Sequence, residues 1–167
     1  MKIFFTRSIA ALALLSALVT PGLADPEASQ LLSAGRVNDA VTALNSRQDA
    51  VSLNLLSRAY FSMERWDEAV KYGERAVSLE PQNATYHLWL GREYGRKAGD
   101  SNPLSAASLA KKAKNEFERA VQLDPSSTPA RVDLAQYYTE APSFMGGGLD
   151  KARAQADLEK RFREFEK

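Results

Sequence analysis

"ERAVSLEP" (residues 74–81) and "ERAVQLDP" (118–125) share six of eight residues, and a seventh exchanges Glu80 for Asp124. The likeness spreads outward from them. Leu56 and Leu90 stand 34 residues apart, as do Tyr60 and Tyr94. Ala69, Ala76 and Pro81 return 44 residues later as Ala113, Ala120 and Pro125, and Tyr138 follows Tyr94 by the same 44. One period of 34 with a ten-residue insertion accounts for both offsets. A shortened copy comes first, since "SAGRVNDAV" (33–41) matches "SMERWDEAV" (62–70). A chain that repeats at this length stacks one supersecondary unit on the next.

Within each copy the apolar residues fall at helical spacing, as at Leu53, Leu56 and Tyr60, then at Trp66, Ala69, Val70, Gly73, Ala76 and Val77. Pro81 and Pro125 punctuate the passage to the next unit. The pattern predicts helices over 26–34, 37–46, 50–63, 66–79, 84–97, 103–122, 128–140 and 149–165, with Asn102 capping a long helix that has Pro103 in its first turn.

One copy reads Leu53, Leu56, Ser57, Tyr60, Ala69, Gly73, Ala76, Pro81; the next reads His87, Leu90, Gly91, Tyr94, Ala113, Phe117, Ala120, Pro125. A third reads Arg131, Leu134, Ala135, Tyr138, Ala152, Ala156 and lacks the proline. This resembles the tetratricopeptide repeat (TPR) family. The resemblance implies an all-α fold, a right-handed superhelix of antiparallel helix pairs. Residues 25–167 would form one TPR-like domain of about 3.5 repeats, with insertions near 97–107 and 141–148. It also implies a protein- or peptide-binding scaffold whose first helices line a concave groove.

Residues 1–24 read differently. Lys2 and Arg7 precede the apolar stretch from Ile9 to Val19, and Pro21, Gly22 and Ala24 follow, which is the layout of a secretory signal peptide cleaved after Ala24. The apolar run is short of the roughly 20 residues that cross a bilayer. The expected location is therefore the periplasm or the outside of a bacterial cell, with no membrane attachment after cleavage. Without Lys2 and Arg7, 20 basic residues face 21 acidic ones, a balance that does not suit nucleic acid. There is no cysteine, so neither a disulfide nor a lipid thioether holds the chain.

Chemistry is sparse. His87 is the only histidine and occupies a position where the family places a large aromatic, so a packing role is expected. A hydrolase using it would need a nucleophile and an orienting acid in a recognisable motif, and none is apparent. One histidine and no cysteine leave no usual metal set, and no cofactor is expected. Glu64, Asp67 and Glu68 sit at a helix start, where acids suit the dipole without a ligand. In "KKAK" (111–114), Ala113 points inward and the lysines form a solvated face. Trp66 is expected in the core; Trp89 is open between packing and ligand stacking. Gly146, Gly147 and Gly148 resemble a phosphate loop, but a helical segment precedes them and no Gly-Lys-Ser/Thr follows. They are expected to form an elongated turn between two helices.

Helical phase puts Asn54, Arg58 and Phe61, then Leu88, Arg92 and Arg96, then Gln136, on the concave side. Arginine forks suit carboxylates and Phe61 and Leu88 suit apolar contact, so the expected partner is a protein or peptide with an acidic or C-terminal segment. Two alternatives stand beside this. The arginines are solubilising charges, paired with Glu93 or Glu140. Or assembly runs through the last helix, where Leu158, Phe162 and Phe165 form an apolar face that serves a homodimer, a docked partner or the chain's own core.

Overall fold

The computed structural model describes residues 26–165, so the signal-peptide expectation lies outside the described residues. These comprise eight α-helices and no strand: α1 (Pro26–Ser33), α2 (Val37–Leu44), α3 (Ala50–Ser62), α4 (Trp66–Leu79), α5 (Ala84–Gly99), α6 (Pro103–Leu123), α7 (Thr128–Glu140) and α8 (Leu149–Phe165). A 3-10 turn spans Ser143–Met145. Every expected helix is present, with ends displaced by at most two residues. Local chemistry sets the starts. Asp49, Asn83, Asn102 and Ser127 each accept a backbone N–H of the first turn they precede, and Pro103 occupies the first turn of α6.

Each helix packs on the next in the chain, and α3 also meets α1 and α5, while α5 meets α7. Those next-but-one contacts involve first helices only, which places them along the inner side of a solenoid. Small residues set the approach within a pair. A Cβ on Gly91 would press into the ring of Phe117, so α5 and α6 close together only because Gly91 has none. One pair earlier the corresponding residues are Ser57 and Gly73, both small. Glu93 of α5 fills that space: it is fully buried, its carboxylate bonded to the Ser57 hydroxyl and lying where a Gly73 side chain would be.

The repeated stretch turns out to be a set of ties between units. Glu74 accepts the Tyr94 hydroxyl, and Glu118 accepts that of Tyr138 at 2.8 Å, each 20 residues on. Arg75 donates to Gln48 and Arg119 to Gln82, across the preceding turn. Ala76 and Ala120 are fully buried at the helix crossings. The Pro81 carbonyl accepts from His87, and the Pro125 carbonyl accepts from Arg131.

The expected turn between α7 and α8 is present. Gly146 adopts a left-handed φ of 93°, and a side chain on Gly147 would collide with the Ala141 backbone. Lys151, the residue a phosphate-loop reading would direct at a ligand, donates instead to the Gly146 carbonyl at 2.9 Å.

Candidate functional site: the inner groove

The ten-residue insertion is what makes a groove. It carries α5 on to Gly99 and starts α6 at Pro103, so this pair projects beyond its neighbours. Between the projecting pair, α7 and the turn at 141–145 lies a groove of about 930 Å³. One wall is small and apolar, made of Ala106, Ala107, Ala110 and Ala113 on α6. The facing wall is Gln136, Tyr137 and Glu140 of α7, with Pro142, Phe144 and Met145 beyond them. Phe144 is 86% exposed at the rim. A recess of about 540 Å³ adjoins along Phe61, Trp66, Gly95, Arg96 and Asp100.

Aromatic rings run across the inner side. Phe61 meets Trp66 edge-on at 5.4 Å and Trp89 edge-on at 5.8 Å. Trp89 carries two cations close to its ring, Arg58 at 4.7 Å and Arg92 at 4.9 Å from the centroid. Arg92 Nε donates to Asp133 Oδ2 at 2.5 Å, which spans α5 to α7. Arg58 has a buried Nε with no hydrogen-bond partner, and burial together with neighbouring Arg92 lowers its pKa. Arg96 is exposed and borders both spaces, and among the described residues no acid pairs with it.

Of the residues expected in the groove, Phe61, Arg92, Arg96 and Gln136 border it. Asn54 and Leu88 do not, being only 4% and 7% exposed. The reason is positional: α3 lies between α1 and α5, and α5 between α3 and α7, so their inner faces are partly covered by neighbours. Arg58 is half-buried against Trp89 rather than projecting into the groove. The expected pairing of arginines with Glu93 or Glu140 gives way to Arg92–Asp133, since Glu93 is bonded to Ser57 and Glu140 accepts from Gln136. Trp66 is not core: it is half-buried at an edge, its indole N–H donating to Asp100 at 2.9 Å. Leu158 is 37% exposed; the side chains of Phe162 and Phe165 lie outside the description.

The alanine wall, Tyr137 and Phe144 escaped the reading of the sequence. A signal existed in "SAASLAKKA" (105–113), which holds more small residues than one helix crossing requires.

Both ring nitrogens of His87 are engaged, Nδ1 with Glu116 and Nε2 with Pro81, and neither faces a nucleophile. No three potential metal-binding side chains come together among the described residues, and no described helix is long and apolar enough to cross a membrane.

Residues 50–83 match the tetratricopeptide repeat family model. A thermophilic TPR protein of Thermus thermophilus superposes with a TM-score of 0.67 at 19% identity, over 83% of this chain and 72% of its own. MamA gives 0.65 at 19% identity, over 83% and 75%. No curated protein matches the chain. The fold is thus that of a TPR solenoid.

Proposed function

We propose that this TPR solenoid is a non-catalytic scaffold of the bacterial cell envelope. In this reading its inner groove holds a partner segment that combines an acidic residue or C-terminal carboxylate with an apolar side chain. TPR proteins bind other proteins, and the groove's chemistry narrows the class. The observation that carries the reading is Arg96, a cation unpaired among the described residues, in a groove whose other charged side chains are already engaged, Arg92 with Asp133 and Glu140 with Gln136. The remaining lining is mostly alanines and aromatic rings. Arg92 is already neutralised by Asp133, so a carboxylate would find its counter-charge at Arg96. The alanine wall admits a bulky apolar neighbour beside it.

A photo-crosslinking residue at Gln136, used in intact cells, tests this. Arg96→Glu should lower capture of the partner about tenfold or more, the scale of one charge-assisted hydrogen bond. Equal capture by wild type and variant would sink the groove. Export predicts a mature chain beginning at Asp25 in the envelope fraction, read by intact mass.

A second reading makes α8 an assembly surface, favoured by Leu149 and Leu158, 59% and 37% exposed. Sedimentation decides it, because a protein that stays monomeric at high concentration has no such contact.

A further inference from the structure

Two buried groups on α5 hold it in place: the bonding geometry of His87 requires both its ring nitrogens to carry protons, and burial favours the protonated form of Glu93. His87 is 7% exposed, with Nδ1 2.6 Å from Glu116 Oε2 and Nε2 3.0 Å from the Pro81 carbonyl oxygen. A carboxylate and a carbonyl only accept, and a neutral imidazole donates through one nitrogen alone. Both bonds form together only in the imidazolium. The next repeat makes the same tie with a permanent cation: Arg131, 44 residues on, donates from Nε to the Pro125 carbonyl at 2.7 Å. His87 is therefore doing, with a removable proton, what Arg131 does with a fixed one. Glu116 raises its pKa against the effect of burial, and Arg119 of α6 opposes it weakly.

Glu93 stands six residues further along α5, fully buried. Ser57 meets it from α3, and from α4 come Gly73 and the like-charged Glu74. Among the described residues no cation is bonded to it, and one carboxyl oxygen has no partner. Lys112 of α6 lies 3.8 Å from Glu74 and over the Tyr94 ring. A carboxylate so enclosed is favoured in its neutral form; burial pushes its pKa up to about 8.

We propose that α5 is a proton-locked helix: with His87 and Glu93 both protonated it is clamped to α3, α4 and α6, and raising the pH releases it together with the Trp89, Arg92 and Arg96 side of the groove. The consequence for partner binding rests on the groove reading, whereas the lock itself does not.

The two groups act in one direction. Each binds its proton more tightly folded than unfolded, so the native state holds more protons and stability falls as pH rises. For Glu93 the loss begins near the ordinary value of 4.5 and is complete above about 8; for His87 it begins near 6.5.

His87 is the only histidine, so its titration in the purified protein can be read directly by NMR. Its midpoint should lie above 6.5, and Glu116→Gln should lower it. A Trp66→Phe variant makes Trp89 the sole tryptophan. Its emission should shift to the red between pH 7 and about pH 9, a range that brackets the Glu93 transition, and adding Glu93→Gln should suppress most of that shift. A His87 midpoint at or below 6.5 overturns the lock, and so does a Trp89 response that is absent or survives Glu93→Gln unchanged. Both readouts use the free protein. A chain that captures no partner can still pass, and one that captures its partner can still fail.

Discussion

Gly35 and Glu64 occupy the same place in the two matching stretches "SAGRV" and "SMERW", just past the end of a helix. Both have left-handed backbones, with φ of 74° and 58°. The glycine adopts that conformation freely, while for an ordinary side chain it costs about 1–2 kcal/mol. The Glu64 side chain is exposed and contributes no ion pair that would offset the strain. Glu64→Gly should therefore stabilise the protein, by roughly 0.5–1 kcal/mol once the greater freedom of glycine in the unfolded chain is subtracted. The urea midpoint should rise with an unchanged slope. A lower midpoint would mean that Glu64 makes a tie beyond its backbone. The same position shows how a repeat tolerates drift: the conformation is kept, and the residue that suits it has been lost in one copy.

At the scale of elements, the three glycines before α8 have different tasks that their shared identity hides. Gly147 is buried and an added Cβ would run into the Ala141 carbonyl, so Gly147→Ala should cost about 2 kcal/mol as an overpacked site. Gly95, inside α5, meets nothing within 4 Å where its Cβ would be. Gly95→Ala should gain about 1 kcal/mol from helix propensity alone. Thermal melts of the two variants should move in opposite directions. Legibility in the sequence follows the same division. Helices, the Asn102 cap and the inter-helix turn were legible, because periodicity, Asn102–Pro103 and the 34/44 offsets are local signals. The groove was legible only in part. Helical phase identifies which residues face inward, and Phe61, Arg92, Arg96 and Gln136 do border the groove. It cannot say which inward faces a neighbouring helix will cover, and that is where Asn54 and Leu88 were misplaced. Nor can it reveal Glu93 as buried. That depends on Ser57 and Gly73, distant in sequence, both being small.

At the scale of the whole molecule, contacts between helices are local along the chain. The groove draws on α5, α6, α7 and the turn after it, with Phe61 its one contribution from α3. Among the described residues, the pair α1 and α2 packs chiefly on itself and α3. A solenoid of this kind has a stability close to a sum of unit and interface terms, so damage at one end should stay there. Ala40 of α2 is fully buried and has no room for a carboxylate. Ala40→Asp should unfold residues 26–44 by burying an unpaired charge, a cost of several kcal/mol that a single helix pair cannot absorb. Amide exchange should then become fast across α1 and α2 while α5 to α7 keep their protection. The variant should also keep the elevated His87 titration and the dependence of partner capture on Arg96. If α5 to α7 lose protection together with α1 and α2, the array folds as one cooperative block. In that case the α1–α2 pair acts as a cap on which the groove depends, and the local view of this solenoid is wrong.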